Sequence, residues 1–126
     1  MDKIAFTKME GCGNDYVYVD GINTAFPIAR APDLARRWSD RHFGIGADGL
    51  IVLARDPDGA LRMLMWNADG SRGAMCGNGL RCLARFAEVS GHTTGQAFVV
   101  MTDSGRRQVE LLGAGNGSGD VRTHMG

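Results

Sequence analysis

Between Gly79 and Ser90 the chain reads Gly-Leu-Arg-Cys-Leu-Ala-Arg-Phe-Ala-Glu-Val-Ser, and this stretch limits the folds open to everything else. Leu80, Leu83, Ala84 and Ala87 recur at helical spacing, with Cys82, Phe86 and Val89 as a second apolar row beside them. Charge is confined to Arg81, Arg85 and Glu88, on one narrow stripe. A helix apolar around most of its circumference has to be covered on most sides. Gly91 supplies its C-terminal stop.

The rest of the chain offers mainly strands to do the covering. Ile4 to Met9 alternates and suits a first strand; Tyr16 to Asp20 is β-branched and aromatic and suits a second. Gly21 to Ala31 reads as a connection. Pro32 opens a helix that runs to about Arg41, with Leu34, Ala35 and Trp38 as its apolar face. A Gly-rich loop, Phe43 to Gly49, leads to a strand at Leu50 to Ala54. Asp56-Pro57-Asp58-Gly59 is a turn, and Leu61 to Trp66 is the return strand of a hairpin. Further strands are expected at Gln96 to Thr102, Arg106 to Leu112 and Val121 to His124. Hairpin-length connections favour antiparallel pairing. The fold class expected is α/β in the α+β sense: a curled, mainly antiparallel sheet around one central helix.

At 126 residues the chain fits one domain. Lys plus Arg and Asp plus Glu number 14 each, so bulk charge points to neither a nucleic acid nor a membrane surface. No apolar run approaches a bilayer-spanning length, and Met1 to Lys8 lacks a signal-peptide core, so the expected location is cytoplasmic. The three cysteines, Cys12, Cys76 and Cys82, form no CxxC pair, and an odd count argues against a disulfide framework. His42, His92 and His124 are scattered without metal-ligand spacing, so no metal is expected. Gly44, Gly46 and Gly49 complete the G-x-G-x-x-G spacing, but a strand follows where a dinucleotide fingerprint needs a helix.

The chemistry-bearing stretch is Met75-Cys76-Gly77-Asn78-Gly79-Leu80-Arg81-Cys82. A Gly-rich turn running into a helix leaves backbone N–H groups unpaired, and with the helix dipole they favour an anion there. A thiol held at such a point loses its proton more readily than a free one. Cys76 is therefore read as an acid/base thiol, whereas Cys82, inside the helix, is read as inert core and Cys12 as incidental. No histidine lies near Cys76 in sequence to act as the base of acyl transfer. Proton transfer needs only a tuned thiol, a positioned C–H and donors for the developing charge. Asn14, Asn67 and Asn78 each sit in a turn setting. Any one of them could serve only its own turn, or could grip a polar, zwitterionic ligand through its amide.

Phe6-Thr7-Lys8-Met9, Gly11-Cys12-Gly13-Asn14-Asp15-Tyr16, Arg41 to Gly49, Asn67-Ala68-Asp69-Gly70-Ser71 and Met75 to Cys82 resemble, in order and spacing, the motifs of diaminopimelate epimerase. The resemblance implies two similar domains, each a curled antiparallel sheet around a central helix. It implies interconversion of LL- and meso-diaminopimelate, a lysine and peptidoglycan precursor, without cofactor or metal, by two cysteines facing opposite sides of the α-carbon. Cys76 matches one of these cysteines. Asn14, Asn67, Gly77 and Asn78 match substrate-binding positions. Gly49 falls where some members carry a substrate-contacting glutamine, a role glycine cannot fill. On this resemblance residues 1–126 are the N-terminal domain. The C-terminal domain with its cysteine is missing, the piece alone is expected to be inactive, and the uncovered face is expected to drive self-association or homodimerisation. The alternatives are a non-catalytic module binding a small ligand or partner, and a proline racemase-like or phenazine-pathway relative. The Asn-Ala-Asp-Gly-Ser stretch favours the epimerase.

Overall fold

A computed structural model describes residues 4–11, 14–73, 77–93, 97–111 and 121–124. The strands among them are β1 (Thr7–Gly11), β2 (Asn14–Asp20), β3 (Gly49–Arg55), β4 (Leu61–Asn67), β5 (Arg72–Gly73), β6 (Ala97–Thr102), β7 (Gly105–Leu111) and β8 (Val121–His124). A short 3-10 turn, Ile28–Arg30, leads into helix α1 (Ala31–Ser39), and helix α2 spans Gly77–Val89.

The strands form one sheet in the order β1-β2-β3-β4-β6-β7-β8, with β5 also on β4. Wherever a short turn joins two strands they pair antiparallel, as in β1–β2, β3–β4 and β6–β7. Two pairs are parallel, β2 with β3 and β4 with β6. In both cases a helix lies in the connection, α1 in the first and α2 in the second, which gives the chain the length to return to the same sheet end. The sheet is mainly antiparallel, as expected, and these two crossovers put helices on both its faces.

Helix α2 contacts β1 and β2 near one edge and β7 and β8 at the other, so the sheet curls around it. Tyr18, Ile51, Leu53, Met63, Leu80, Leu83, Ala84 and Val109 form the core between them. Residues of opposite parity point the other way: Val17, Val19, Leu50, Val52 and Trp66 pack with Ala31 and Ala35 of α1. β2 and β3 are therefore buried on both faces, which is why they read as unbroken apolar runs rather than alternating ones.

Helix ends follow local chemistry. α1 stops at Ser39, two residues short of the expected Arg41, because Asp40 turns extended (ψ 124°) and its carboxylate caps the N–H groups of His42 and Phe43 at 2.8 and 3.0 Å. α2 starts at Gly77, ahead of the expected Gly79. It ends at Val89, just before the expected Ser90, with Gly91 (φ 81°) as the stop, where His92 N–H donates to the Ala87 carbonyl at 2.9 Å. Two residues of α2 depart from the sequence pattern. Val89 is 69% exposed despite its place in an apolar row, while Arg85 is only 4% exposed and pairs with Glu88 at 2.8 Å. The wrapping sheet covers part of the charged stripe and leaves the last apolar position outside. No helix among the described residues is long and apolar enough to cross a membrane.

Candidate active site

Sheet register sets Asn14 and Asn67 at one end of the sheet. Gly49 pairs with Tyr16 on one side and with Asn67 on the other, so these three share a row across β2, β3 and β4. Asn14 begins β2 at that same end, where it closes the β1–β2 hairpin opposite Gly11. α2 is anchored nearby: the buried phenol of Tyr18 donates to the carbonyl of Gly79 at 3.1 Å, holding the helix's first turn against β2. Gly77 and Asn78 are the first residues of α2. Asn14 and Asn67 thus share one end of the sheet, while Gly77 and Asn78 begin the helix that Tyr18 fastens to the middle of β2. Cys76 and Cys12 lie outside the described residues. Cys82 is half-buried and packs against the inner core, as its place in the helix implies.

The turn after β4 is built by its own side chains. Asn67 N–H donates to the Ser71 carbonyl and Gly70 N–H to the Asn67 carbonyl, at 2.8 and 2.9 Å. Gly70 sits at φ 88°, and a Cβ there would stand 2.8 Å from the carbonyl oxygen of Pro32, so only glycine lets the turn rest on α1. Asp69 accepts from both the hydroxyl and the N–H of Ser71, at 2.6 and 2.9 Å. These bonds, the hydroxyl first, hold the Asp69 carboxyl below the usual carboxylate range.

A second network braces the start of β2. The Asp15 backbone exchanges hydrogen bonds with Asp48, its N–H donating to Asp48 Oδ2 at 3.0 Å and its carbonyl accepting from Asp48 N–H at 2.7 Å. Arg41 reaches both carboxylates, at 3.0 Å to Asp15 and 3.2 Å to Asp48, and Lys8 adds a contact to Asp15 at 3.2 Å. The Arg41 hydrogen bond, with help from Lys8, lowers the Asp15 carboxyl from 3.8 to about 2. The loop whose glycines match the dinucleotide spacing is instead a strap fastened to the residue after Asn14. Its Gly46 (φ 84°) and Ala47 N–H groups bond back to the carbonyls of Trp38 and Ser39.

Sequence reading placed Asp15, Asp48, Asp69, Ser71 and Arg41 in motifs but assigned them no task. Their spacing, 33 residues between Asp15 and Asp48, carries no local signal. On chemistry alone, the arrangement offers a helix start, whose first N–H groups have no intrahelical partner, and the Asn67 amide held in the turn after β4. Such a setting suits a small anionic or zwitterionic ligand.

Residues 6–126 match the family model described as diaminopimelate epimerase. A diaminopimelate epimerase of Leptospira biflexa is 43% identical over 121 residues, covering 96% of this chain and 42% of that protein. One from Geobacillus kaustophilus is 39% identical over 126 residues, covering 100% and 43%. The chain therefore spans less than half the length of the curated relatives it matches. Among solved structures, a methylitaconate-delta-isomerase superposes with a TM-score of 0.68 at 14% identity, covering 92% of this chain and 36% of that one. A Bacillus anthracis phenazine biosynthesis protein of the PhzF family does so with 0.64 at 17% identity, covering 90% and 36%. At such identities the structural likeness concerns the fold alone. The extent of the family match, from β1 to β8, and the two close relatives show that the chain belongs to the diaminopimelate epimerase family.

Proposed function

We propose that this chain is the N-terminal half of an enzyme that interconverts LL- and meso-diaminopimelate in the cytoplasm by cofactor-independent proton transfer, and that it supplies one face of the site. What supports the reading is that Asn14 and Asn67 lie at one end of the sheet and that β2 holds the first turn of α2 through Tyr18. Cys76 directly precedes that helix. As a thiolate it takes the α-proton of the substrate. The N–H groups at the start of α2, at Gly77 and Asn78, stabilise the charge that then develops toward the α-carboxylate. A second thiol, belonging to the other half of the site, returns a proton from the opposite face. Alone, these 126 residues then have no useful epimerase activity. The product would supply lysine and peptidoglycan precursor synthesis.

Alkylation by iodoacetamide at neutral pH, followed by peptide mass analysis, tests the thiol. Cys76 should be modified far faster than Cys82. Equal, slow labelling of both would favour a non-catalytic module instead. Conversion of LL-diaminopimelate by the purified chain would overturn the half-site reading. Self-association is also expected. Phe6 and Val89 are exposed, and Thr7, Met9, Phe86 and Val89 help to line an open apolar cavity of about 200 Å³ beside them. A strictly monomeric sedimentation profile would count against that part.

A further inference from the structure

The turn after β4 decides which way an amide faces. Asp69 Oδ1 lies 2.6 Å from Ser71 Oγ, and Ser71 Oγ lies 3.0 Å from Asn67 Nδ2. An ionised carboxylate can only accept, so the single hydroxyl hydrogen of Ser71 goes to Asp69. With that hydrogen committed, Ser71 Oγ can only accept from Asn67. The group that Asn67 turns to Ser71 is therefore its NH2, and the assignment follows from the network rather than from shape, which NH2 and O share. The carbonyl oxygen Oδ1 is left on the other side, on the Gly73 flank, where a Cβ at residue 73 would stand 3.4 Å from it. It accepts no hydrogen bond among the described residues.

The platform beneath is firm. Ser71 N–H also donates to Asp69 at 2.9 Å, and Gly70 lies against Pro32 and Arg36 of α1. Asp69 stays ionised well into acid, for the reasons given above, so the acceptor-only condition holds at neutral pH.

We propose that Asp69 and Ser71 are positioning residues that orient Asn67, so that its carbonyl oxygen, and not its NH2, is presented on the Gly73 side to accept from an ammonium group of the substrate. This rests on the reading of Asn67 as substrate-binding. Specificity follows from the same geometry. A donor meets an acceptor, whereas a carboxylate placed there meets a carbonyl dipole of the wrong sign and is rejected.

Nuclear magnetic resonance of the 126-residue chain, with 15N-labelled asparagine, reads the relay directly. The Asn67 side-chain NH2 signals should shift as Asp69 titrates, with a midpoint below 3.8. Ser71→Ala should abolish that titration, and Ser71→Thr, which keeps the hydroxyl, should restore it. An Asn67 signal indifferent to acid and unchanged by Ser71→Ala would overturn the proposal, whatever the chain binds. Titration with meso-diaminopimelate tests the consequence. Ser71→Ala and Asn67→Ala should each weaken binding about tenfold, with no further loss in the double variant. A loss with Asn67→Ala but none with Ser71→Ala would overturn the positioning role and leave Asn67 as a ligand. An intact relay with binding unaffected by Asn67→Ala would instead remove the substrate reading of Asn67. A urea melt of each variant confirms that it is folded.

Discussion

The phenol of Tyr18 and the carbonyl of Gly79, 61 residues apart in sequence, meet in a buried hydrogen bond of 3.1 Å. This contact ties the middle of β2 to the first turn of α2, the helix that follows Cys76. Its ring is independently packed, edge-on to Tyr16 at 6.4 Å and tilted on Phe86 at 5.8 Å. Tyr18→Phe should keep the ring and lose the bond. The expected cost is about 1 kcal/mol in urea unfolding. Cys76 alkylation should also slow if the helix start is what tunes the thiol.

The brace at Asp15 makes an acid-side prediction. Its carboxyl falls from 3.8 to about 2 in the folded chain, first through the Arg41 hydrogen bond and then through Lys8. A folded value below the unfolded one means the stabilisation is fully present above 3.8 and is lost as pH falls through about 2. Asp15→Asn should therefore give a flatter dependence of urea midpoint on pH across that window than the unaltered chain. Arg41→Gln should flatten it in the same direction.

Gly49 is where backbone packing excludes a side chain. A Cβ there would lie 2.4 Å from the Trp66 carbonyl oxygen and 3.3 Å from the Tyr16 ring. The nearest atom is main chain and cannot swing aside. Gly49→Ala should cost about 1–3 kcal/mol, by overpacking and spreading of the β3–β4 pair. A melting temperature equal to that of the unaltered chain would show that the pair yields easily.

Leu83 reports on the enclosure of α2. Its side chain is fully buried within the inner core. Leu83→Ala should destabilise by about 2–5 kcal/mol in urea or thermal unfolding. Arg81→Ala, at an exposed position on the same helix, should move stability by no more than about 0.5 kcal/mol.

Much of this molecule was legible from residue order because the signals concerned are local. Helical spacing identified α2 and required that it be wrapped. Turn chemistry identified the hairpins, and Gly91 marked where α2 stops. The Cys-Gly-Asn-Gly stretch and the asparagines supplied the residues of the candidate site, and the family pattern was recognisable before any geometry.

Other features depend on which segments become neighbours, and no local pattern records that. The parallel pairing of β2 with β3 and β4 with β6 was unread because it needs the helices to cross over to particular strands. Arg85 is buried and Val89 exposed because the curled sheet, not the helix's own pattern, chooses which sector of α2 is covered. The strap from Arg41 to Asp15 and Asp48 likewise exists only once β2 and the loop before β3 lie side by side. Even inside Asn67-Ala68-Asp69-Gly70-Ser71, where the residues are consecutive, the amide's orientation follows from hydrogen-bond directions at 2.6 and 3.0 Å. Residue types supply the donors and acceptors; only folded geometry decides which of them face each other.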